Sequence, residues 1–287
     1  MTALRDRYRL VALDLADLDI GDPDQCRSAL DRHQPDIVLN CAAYTRVDDA
    51  ESHFDIAQAV NADAPGIMAQ WVDAHRAWLL HVSTDFVFDG GKPPPERYVE
   101  DDTPNPLSVY GQTKLAGENA VREQTDRHAI LRTAWLYGRN GANFPKTMLR
   151  LALTQPDTDI RVVDDQIGSP TWSHRLASQI ERVLSVRAQG TFHASSDSAC
   201  TWYAFACAFL DAMNVPYRVI PCTTADYPTP ARRPPNAVLE NRALRQAGLD
   251  IMPAWQDDMM AFVRIHRDAL IEETQETMAV SPDTRKN

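Results

Sequence analysis

Three short apolar runs, Asp36–Cys41, Trp78–Ser83 and Ala129–Trp135, show no alternation of apolar and polar residues, and stretches of helical period separate them. A strand that is apolar on both sides must be covered on both faces. Parallel sheets with crossover helices meet that demand, and antiparallel sheets with one wet face do not. The sequence therefore predicts an α/β fold built on a doubly wound parallel sheet. Arg9–Leu13 reads as one more strand, ending at Asp14. Helices are expected over Asp22–His33, with Asp22 as cap and Pro23 in the first turn, and over Asp55–Ala74 and Val109–Glu123.

After Gly138 the rhythm changes to mixed short elements. Asn143–Leu153, Ser173–Val186 and Thr201–Met213 read as helices, and Ile160–Val163, Thr191–Ala194 and Tyr217–Pro221 as strands. A proline-rich loop, Tyr227–Pro235, leads to a last helix near Trp255–Arg267, and Glu272–Asn287 lacks an apolar period and is expected to be mobile. The expected organisation is a dinucleotide-binding, Rossmann-like domain over 1–137, with 161–186 returning to it. A smaller mixed α/β lobe over 138–160 and 187–287 would bind substrate.

A net charge of −11, with no basic run interleaved with aromatics, argues against nucleic acid or an anionic membrane surface as partner. No stretch is apolar enough for a membrane span or a signal peptide, which places the chain in the cytoplasm. The five cysteines lack C-x-x-C spacing and read as reduced packing thiols, Cys41 among them as a buried one. The histidines show no metal-ligand spacing, so no zinc site is expected.

Chemistry gathers at strand ends, where sites form in such sheets. Ala42-Ala43-Tyr44-Thr45 follows one strand, Ser83-Thr84-Asp85 the next, and Trp135 ends a third. Tyr110 and Lys114 are four apart and share one face of a helix. An ammonium under a phenol favours the phenolate, giving a proton donor and acceptor usable near neutral pH. A hydroxyl from Ser83 or Thr84 would hydrogen-bond a carbonyl oxygen on its way to an alkoxide. With a hydride source this equipment reduces a ketone. Each residue also has a plainer reading: Thr84 as the cap of a strand end, Trp135 as a core aromatic, Asp165 and Gln166 as turn stabilisers, Arg232 and Arg233 as solvated charge. Arginine equally suits bidentate diphosphate recognition, which an acidic protein needs for a dianionic ligand.

A dinucleotide-binding sheet ordinarily opens with a strand, a glycine-rich turn and a helix whose N-terminus holds the pyrophosphate. No glycine precedes Gly21, no G-x-x-G-x-x-G occurs, and Met1–Tyr8 reads as the end of that first helix. The expectation is that the natural polypeptide starts upstream of Met1. The alternative is a chain that has given up dinucleotide binding.

The motifs Asn40-Cys41-Ala42-Ala43-Tyr44-Thr45-Arg46-Val47-Asp48, Ser83-Thr84-Asp85-Phe86-Val87-Phe88-Asp89-Gly90 and Asn105-Pro106-Leu107-Ser108-Val109-Tyr110-Gly111-Gln112-Thr113-Lys114 occur in order. Leu131-Arg132-Thr133-Ala134-Trp135, Asp165-Gln166-Ile167-Gly168 and Ala231-Arg232-Arg233-Pro234 follow. Together they make the chain resemble the dTDP-4-dehydrorhamnose reductase family of extended short-chain dehydrogenases/reductases. The resemblance implies Tyr110 as proton donor, Lys114 as holder of the nicotinamide ribose, and Thr84 as the group polarising a C4 carbonyl. It places Asp85, Trp135 and Arg233 on the substrate, a nucleotide sugar, and Asp14, Asp19, Ile20, Ala43, Tyr44 and Thr45 along the cofactor. Asp14 suits a free ribose 2′-hydroxyl, so NADH should serve at least as well as NADPH. Magnesium at a homodimer contact is a further implication. Phe86 stands where the family usually has Tyr, and Ala237 where it usually has Ser. The implied activity is reduction of dTDP-4-dehydro-L-rhamnose to dTDP-L-rhamnose for cell-surface polysaccharide. The other reading is a non-catalytic protein of the same fold, like the regulatory subunit of methionine adenosyltransferase.

Overall fold

The computed structural model describes Leu4, Arg5 and residues 7–280, with side chains through Glu276. Two compact units share the chain. The first is Met1–Ala134, Leu176–Ser195 and Thr229–Met252; the second is Trp135–Arg175, Ser196–Pro228 and Pro253–Asn287. Residues 161–175, expected with the first unit, thus lie in the second, while 187–195 and 229–252 move the other way.

The first unit holds a sheet of four parallel strands in spatial order: β1 (Ile37–Asn40), β2 (Trp78–Thr84), β3 (His128–Thr133) and β4 (Gly190–His193). Successive residues of a strand face opposite sides, and both sides are apolar here. Trp78, Leu80, Ala129 and Leu131 pack with Leu176, Ile180 and Val183 of the helix Ser173–Val186. Leu79 and Ile130 face the other way, toward helices α1 (Pro23–His33), α2 (Ala64–His75) and α3 (Val109–Gln124). This is the doubly wound arrangement that the unalternating runs predict. Asp22 caps α1 as expected, accepting from the N–H groups of Asp24 and Gln25 at 2.9 and 3.1 Å.

Within the first unit three expectations about local structure are corrected. Arg9–Leu13 is irregular and not a strand, with Leu10, Val11 and Leu13 exposed. It has no ladder partner, and among the described residues β1 pairs only with β2. A cavity of about 240 Å³, walled by Val11, Leu13, Ile20, Ile37 and Leu39, lies beside β1. Cys41, at the end of that edge, is exposed for the same reason. The helix expected over Asp55–Ala74 breaks into Phe54–Gln58 and α2, joined by a π-helical turn at Ala59–Asp63. The turn sets Asn61 fully inside, where its amide bonds the Tyr44 N–H at 2.8 Å and C=O at 3.2 Å, and meets Thr113 Oγ1 at 3.1 Å. Gly117 of α3 allows this approach, since a Cβ there would sit 2.0 Å from the Asn61 carbonyl oxygen.

In the second unit, helices Phe144–Thr154, Trp202–Met213 and Trp255–Val280 enclose a core that includes Leu149, Phe205, Phe209 and Phe262. Ile160–Val163 pairs in parallel with Val219–Cys222. The last helix runs well past Arg267, which corrects the expectation of a mobile segment from Glu272. Leu270 and Ile271 pack into the core, and Glu273 bonds Lys146 at 2.6 Å and also pairs with Arg139. The remainder of the expected tail, 281–287, lies outside the described residues.

Candidate active site

β2 ends at Thr84 because its hydroxyl turns the chain, accepting the Phe86 N–H at 3.2 Å to start a short 3₁₀ turn, Asp85–Val87. The capping reading of Thr84 therefore holds, and it coexists with a second arrangement. The same hydroxyl donates to Asp85 Oδ1 at 2.9 Å, and Thr84 lies close enough to the Tyr110 phenol to favour its ionised form. Ser108 starts α3 by accepting the Gly111 N–H at 3.2 Å, and a Cβ on Gly111 would lie 2.3 Å from the Phe86 carbonyl oxygen. Glycine is thus required for the first turn of α3 to reach the end of β2. Tyr110 is buried there, edge-on to Phe86 at 5.4 Å.

Ser83 was the other candidate for the carbonyl contact. Its hydroxyl donates instead to Glu118 Oε1 at 2.6 Å. Glu118 is fully buried and also receives Arg132 at 2.9 and 2.7 Å and Arg122 at 2.6 Å. Thr84 is the hydroxyl that the fold brings to Tyr110.

Lys114 is 1% exposed; its Nζ donates to the Val82 carbonyl at 2.8 Å and lies 3.3 Å from His81 Nε2. Burial pulls its pKa down to about 8. Burial pushes Tyr110 up to about 12, against the lowering effect of Thr84 and with the nearby Asp85 carboxyl adding to the rise. Burial outweighs any pull of Lys114 toward phenolate, and Lys114 Nζ itself bonds the Val82 carbonyl and lies beside His81. Tyr110 is consequently a firmly protonated donor. Asp85, also buried, is raised to about 7 by desolvation, and its Oδ2 has no hydrogen-bond partner.

The residues named for the cofactor lie toward the β1 side of the unit. Asp14 and Asp19 are exposed and fold back on their own loops, accepting N–H groups of Ala16 and Gly21, each at 2.9 Å. Ile20 packs against the α1–α2 core. Ala43 is half-buried, Thr45 exposed, and the Tyr44 hydroxyl donates to Asp49. Arg233 is engaged: its fork grips Asp48 at 3.0 and 2.7 Å and reaches the Ala231 carbonyl at 3.0 Å. Arg232 is exposed. In the second unit Trp135 has a left-handed backbone (φ 46°) and stacks on Trp202 with centroids 3.5 Å apart. Asp165 accepts from the Thr224 N–H at 2.9 Å and hydroxyl at 2.7 Å, and Gln166 donates to the same hydroxyl at 3.0 Å, the turn role weighed for both.

Sequence reasoning passed over His81, Asn61 and Glu118. A polar residue inside an otherwise apolar strand, as His81 is, was the available signal.

A nicotinamide dinucleotide fits this site at one end. Lys114 Nζ has two partners and a third direction left for a ribose hydroxyl. For the pyrophosphate the described residues offer less, since the start of α1 is already satisfied by its own Asp22 carboxylate. Among the described residues no three His, Cys, Asp or Glu side chains are grouped to hold a metal ion. None of the described helices is long and apolar enough to cross a membrane.

Residues 2–267 match the RmlD substrate binding domain family. The chain belongs to this family. It is 42% identical over 267 residues to dTDP-4-dehydrorhamnose reductase of Streptomyces griseus, covering 89% of this chain and 86% of that protein. It is 38% identical over 242 residues to the spore coat polysaccharide biosynthesis protein SpsK of Bacillus subtilis (strain 168), covering 84% of each. Among solved structures, dTDP-4-dehydrorhamnose reductase from Bacillus anthracis str. Ames in complex with NADP is similar with a TM-score of 0.86 and 36% identity, over 90% of both chains. The parallel α/β sheet is thus the family's.

Proposed function

We propose that this chain is an NAD(P)H-dependent reductase that converts the C4 ketone of dTDP-4-dehydro-L-rhamnose to the alcohol of dTDP-L-rhamnose. The observation that carries the reading is Thr84 at the end of β2 brought up to a buried, protonated Tyr110 phenol, with Lys114 one helical turn on. A regulatory protein of the same fold has no use for that grouping.

The dinucleotide, when bound, supplies the hydride. Thr84 donates a hydrogen bond to the carbonyl oxygen, which gains charge as the hydride arrives. Tyr110 gives that oxygen its proton. Lys114 holds the nicotinamide ribose through the free direction of Nζ. Asp14, Asp19, Ile20, Ala43, Tyr44 and Thr45 flank the adenosine end. Asp85 and Trp135 serve the deoxysugar, one by hydrogen bonding and one by its apolar face. Arg233 would meet the diphosphate. The reaction takes place in the cytoplasm, and its product feeds polysaccharide synthesis, the role the name of the Bacillus subtilis relative suggests. Both NADH and NADPH are expected to serve as cofactors and a homodimer is the expected assembly, while the described residues of one chain offer magnesium no grouped ligands.

The test is product formation from dTDP-4-dehydro-L-rhamnose with either cofactor, for the wild type and Tyr110→Phe. The variant is expected to lose about 10²- to 10⁴-fold in kcat with little change in KM, because the lost proton is given only in the transition state. A Tyr110→Phe enzyme within about twofold of wild type, far short of that range, would overturn the reading.

A further inference from the structure

Arg233 does not spend its whole guanidinium on Asp48. A guanidinium carries five N–H bonds in one plane. The two terminal nitrogens meet the Asp48 carboxylate end-on, Nη1 to Oδ1 at 3.0 Å and Nη2 to Oδ2 at 2.7 Å. The second Nη1 hydrogen serves the Ala231 carbonyl at 3.0 Å and the Thr229 hydroxyl. Nε–H and the second Nη2 hydrogen are left over, with no partner among the described residues. They lie side by side on one edge of the plane and point the same way. That is the fork with which a guanidinium takes two oxygens of one oxyanion. The side chain is 25% exposed, and its unpartnered Nε is not enclosed.

The loop that carries Arg233 is tied down behind two parallel strands. Asp48 lies in the single turn Val47–Ala50, downstream of β1, and also accepts the Ala231 N–H at 3.1 Å. Asn236 donates to the Lys92 and Glu96 carbonyls at 3.0 and 2.8 Å, in the segment downstream of β2. Ligands of such sheets bind beyond the carboxyl ends of the strands. We infer that Asp48 is a positioning residue. It holds Arg233 by the end of its fork, so that the free Nε/Nη2 edge takes two oxygens of a nucleoside-diphosphate ligand without Arg233 letting go.

Two effects of Asp48 oppose each other. Its carboxyl, held below the usual range by the Arg233 bond, is a negative charge that repels a phosphate. That charge sits across the guanidinium from the free edge and is 41% exposed, so solvent screens it. Against it stands the freezing of a long side chain. An unheld arginine loses its rotamer freedom on binding, whereas a held one has lost it beforehand. Screened charge at an exposed site is worth little and arginine rotamer freedom is worth more, so the hold wins. That the phosphate belongs to the nucleotide sugar rests on the proposed reductase; the hold of Asp48 on an oxyanion-binding arginine does not.

The test is titration calorimetry on the full chain with dTDP, thymidine and NADH as probes. Asp48→Asn should weaken dTDP binding about three- to tenfold, and Arg233→Lys, which keeps the charge and loses the fork, at least about tenfold. Thymidine, which has no phosphate, and NADH should bind both variants as they bind the wild type. In wild-type protein with isotope-labelled arginine, the Nε–H signal that Arg233→Lys removes should shift on adding dTDP and stay still with thymidine. A strut with no ligand role would move neither the phosphate-dependent affinity nor that signal. An Asp48→Asn protein that binds dTDP more tightly than wild type, or within about twofold of it, overturns the inference. So does a loss confined to NADH. Wild-type arginine Nε–H signals that all ignore saturating dTDP overturn it too, even if no variant folds. Failure to reduce dTDP-4-dehydro-L-rhamnose, with the dTDP results as expected, would end the reductase reading and leave the role of Asp48 standing.

Discussion

β1 and β3 are parallel strands of one sheet, yet β3 is buried at all six positions and β1 at Asn40 alone. β1 is even the more apolar of the two, with three apolar residues of four against three of six; the difference lies in their neighbours. β3 has a ladder on each side, while β1 has β2 on one side and a cavity with the exposed Leu10–Leu13 segment on the other. The buried charges of the candidate site, Lys114, Glu118, Arg132 and Asp85, gather around β2 and β3, the strands with a partner on each side. A low-dielectric wall is what lets those groups shift their proton affinities, so the chemistry has settled where the sheet is complete. The open side carries residues that would flank a cofactor, and their side chains are spent on local turns.

The largest expected contrast uses charge. Glu118→Gln leaves Arg132 buried without its counter-ion and should cost about 3–5 kcal/mol, seen as a lower midpoint in denaturant unfolding. Asp48→Ala removes the half-exposed partner of Arg233 on the other side and should cost no more than about 1 kcal/mol. Equal losses would erase the distinction between the two sides.

Packing gives a smaller contrast. Leu131→Ala should lose about 2–5 kcal/mol, because Leu131 is fully enclosed between neighbours that cannot collapse. Leu39→Ala, beside the cavity, removes a side chain that has already lost part of its contacts and should cost well under half as much. If Leu39→Ala costs as much as Leu131→Ala, the cavity beside β1 is filled in solution.

The last contrast is a slope with pH. Asp85 has a folded-state pKa raised to about 7 from 3.8 by burial, so the native state holds a proton that the unfolded chain has released. Its contribution is fully present below about pH 4 and is lost as pH rises through about 7. Asp85→Asn should remove that fall, so thermal melts of variant and wild type should diverge between those limits. Parallel curves would mean that Asp85 is solvated in the folded protein.

The parts of the fold set by short-range rules were legible. Unalternating runs announced β2 and β3, Asp22 announced the start of α1, and four-residue spacing placed Tyr110 and Lys114 on one face. The misses share a cause. Arg9–Leu13 has strand composition, but a strand is made by its partner, and no sequence pattern states whether a partner is beside it. The π turn at Ala59–Asp63 is dictated by what Asn61 must reach on a loop and on α3. Lys114 was expected to charge its tyrosine because spacing reports which groups share a face, whereas burial, which spacing does not report, sets the proton affinity of both.

Trp135 and Trp202 lie nearly parallel, with an interplanar angle of 7°. Two indoles held that close do not absorb as separate chromophores, since their transition dipoles couple. The smaller unit therefore carries its own optical reporter: a split circular-dichroism band and quenched emission that persist while the pair is stacked. Whatever wedges between these rings, or draws one aside, will be readable without any added label.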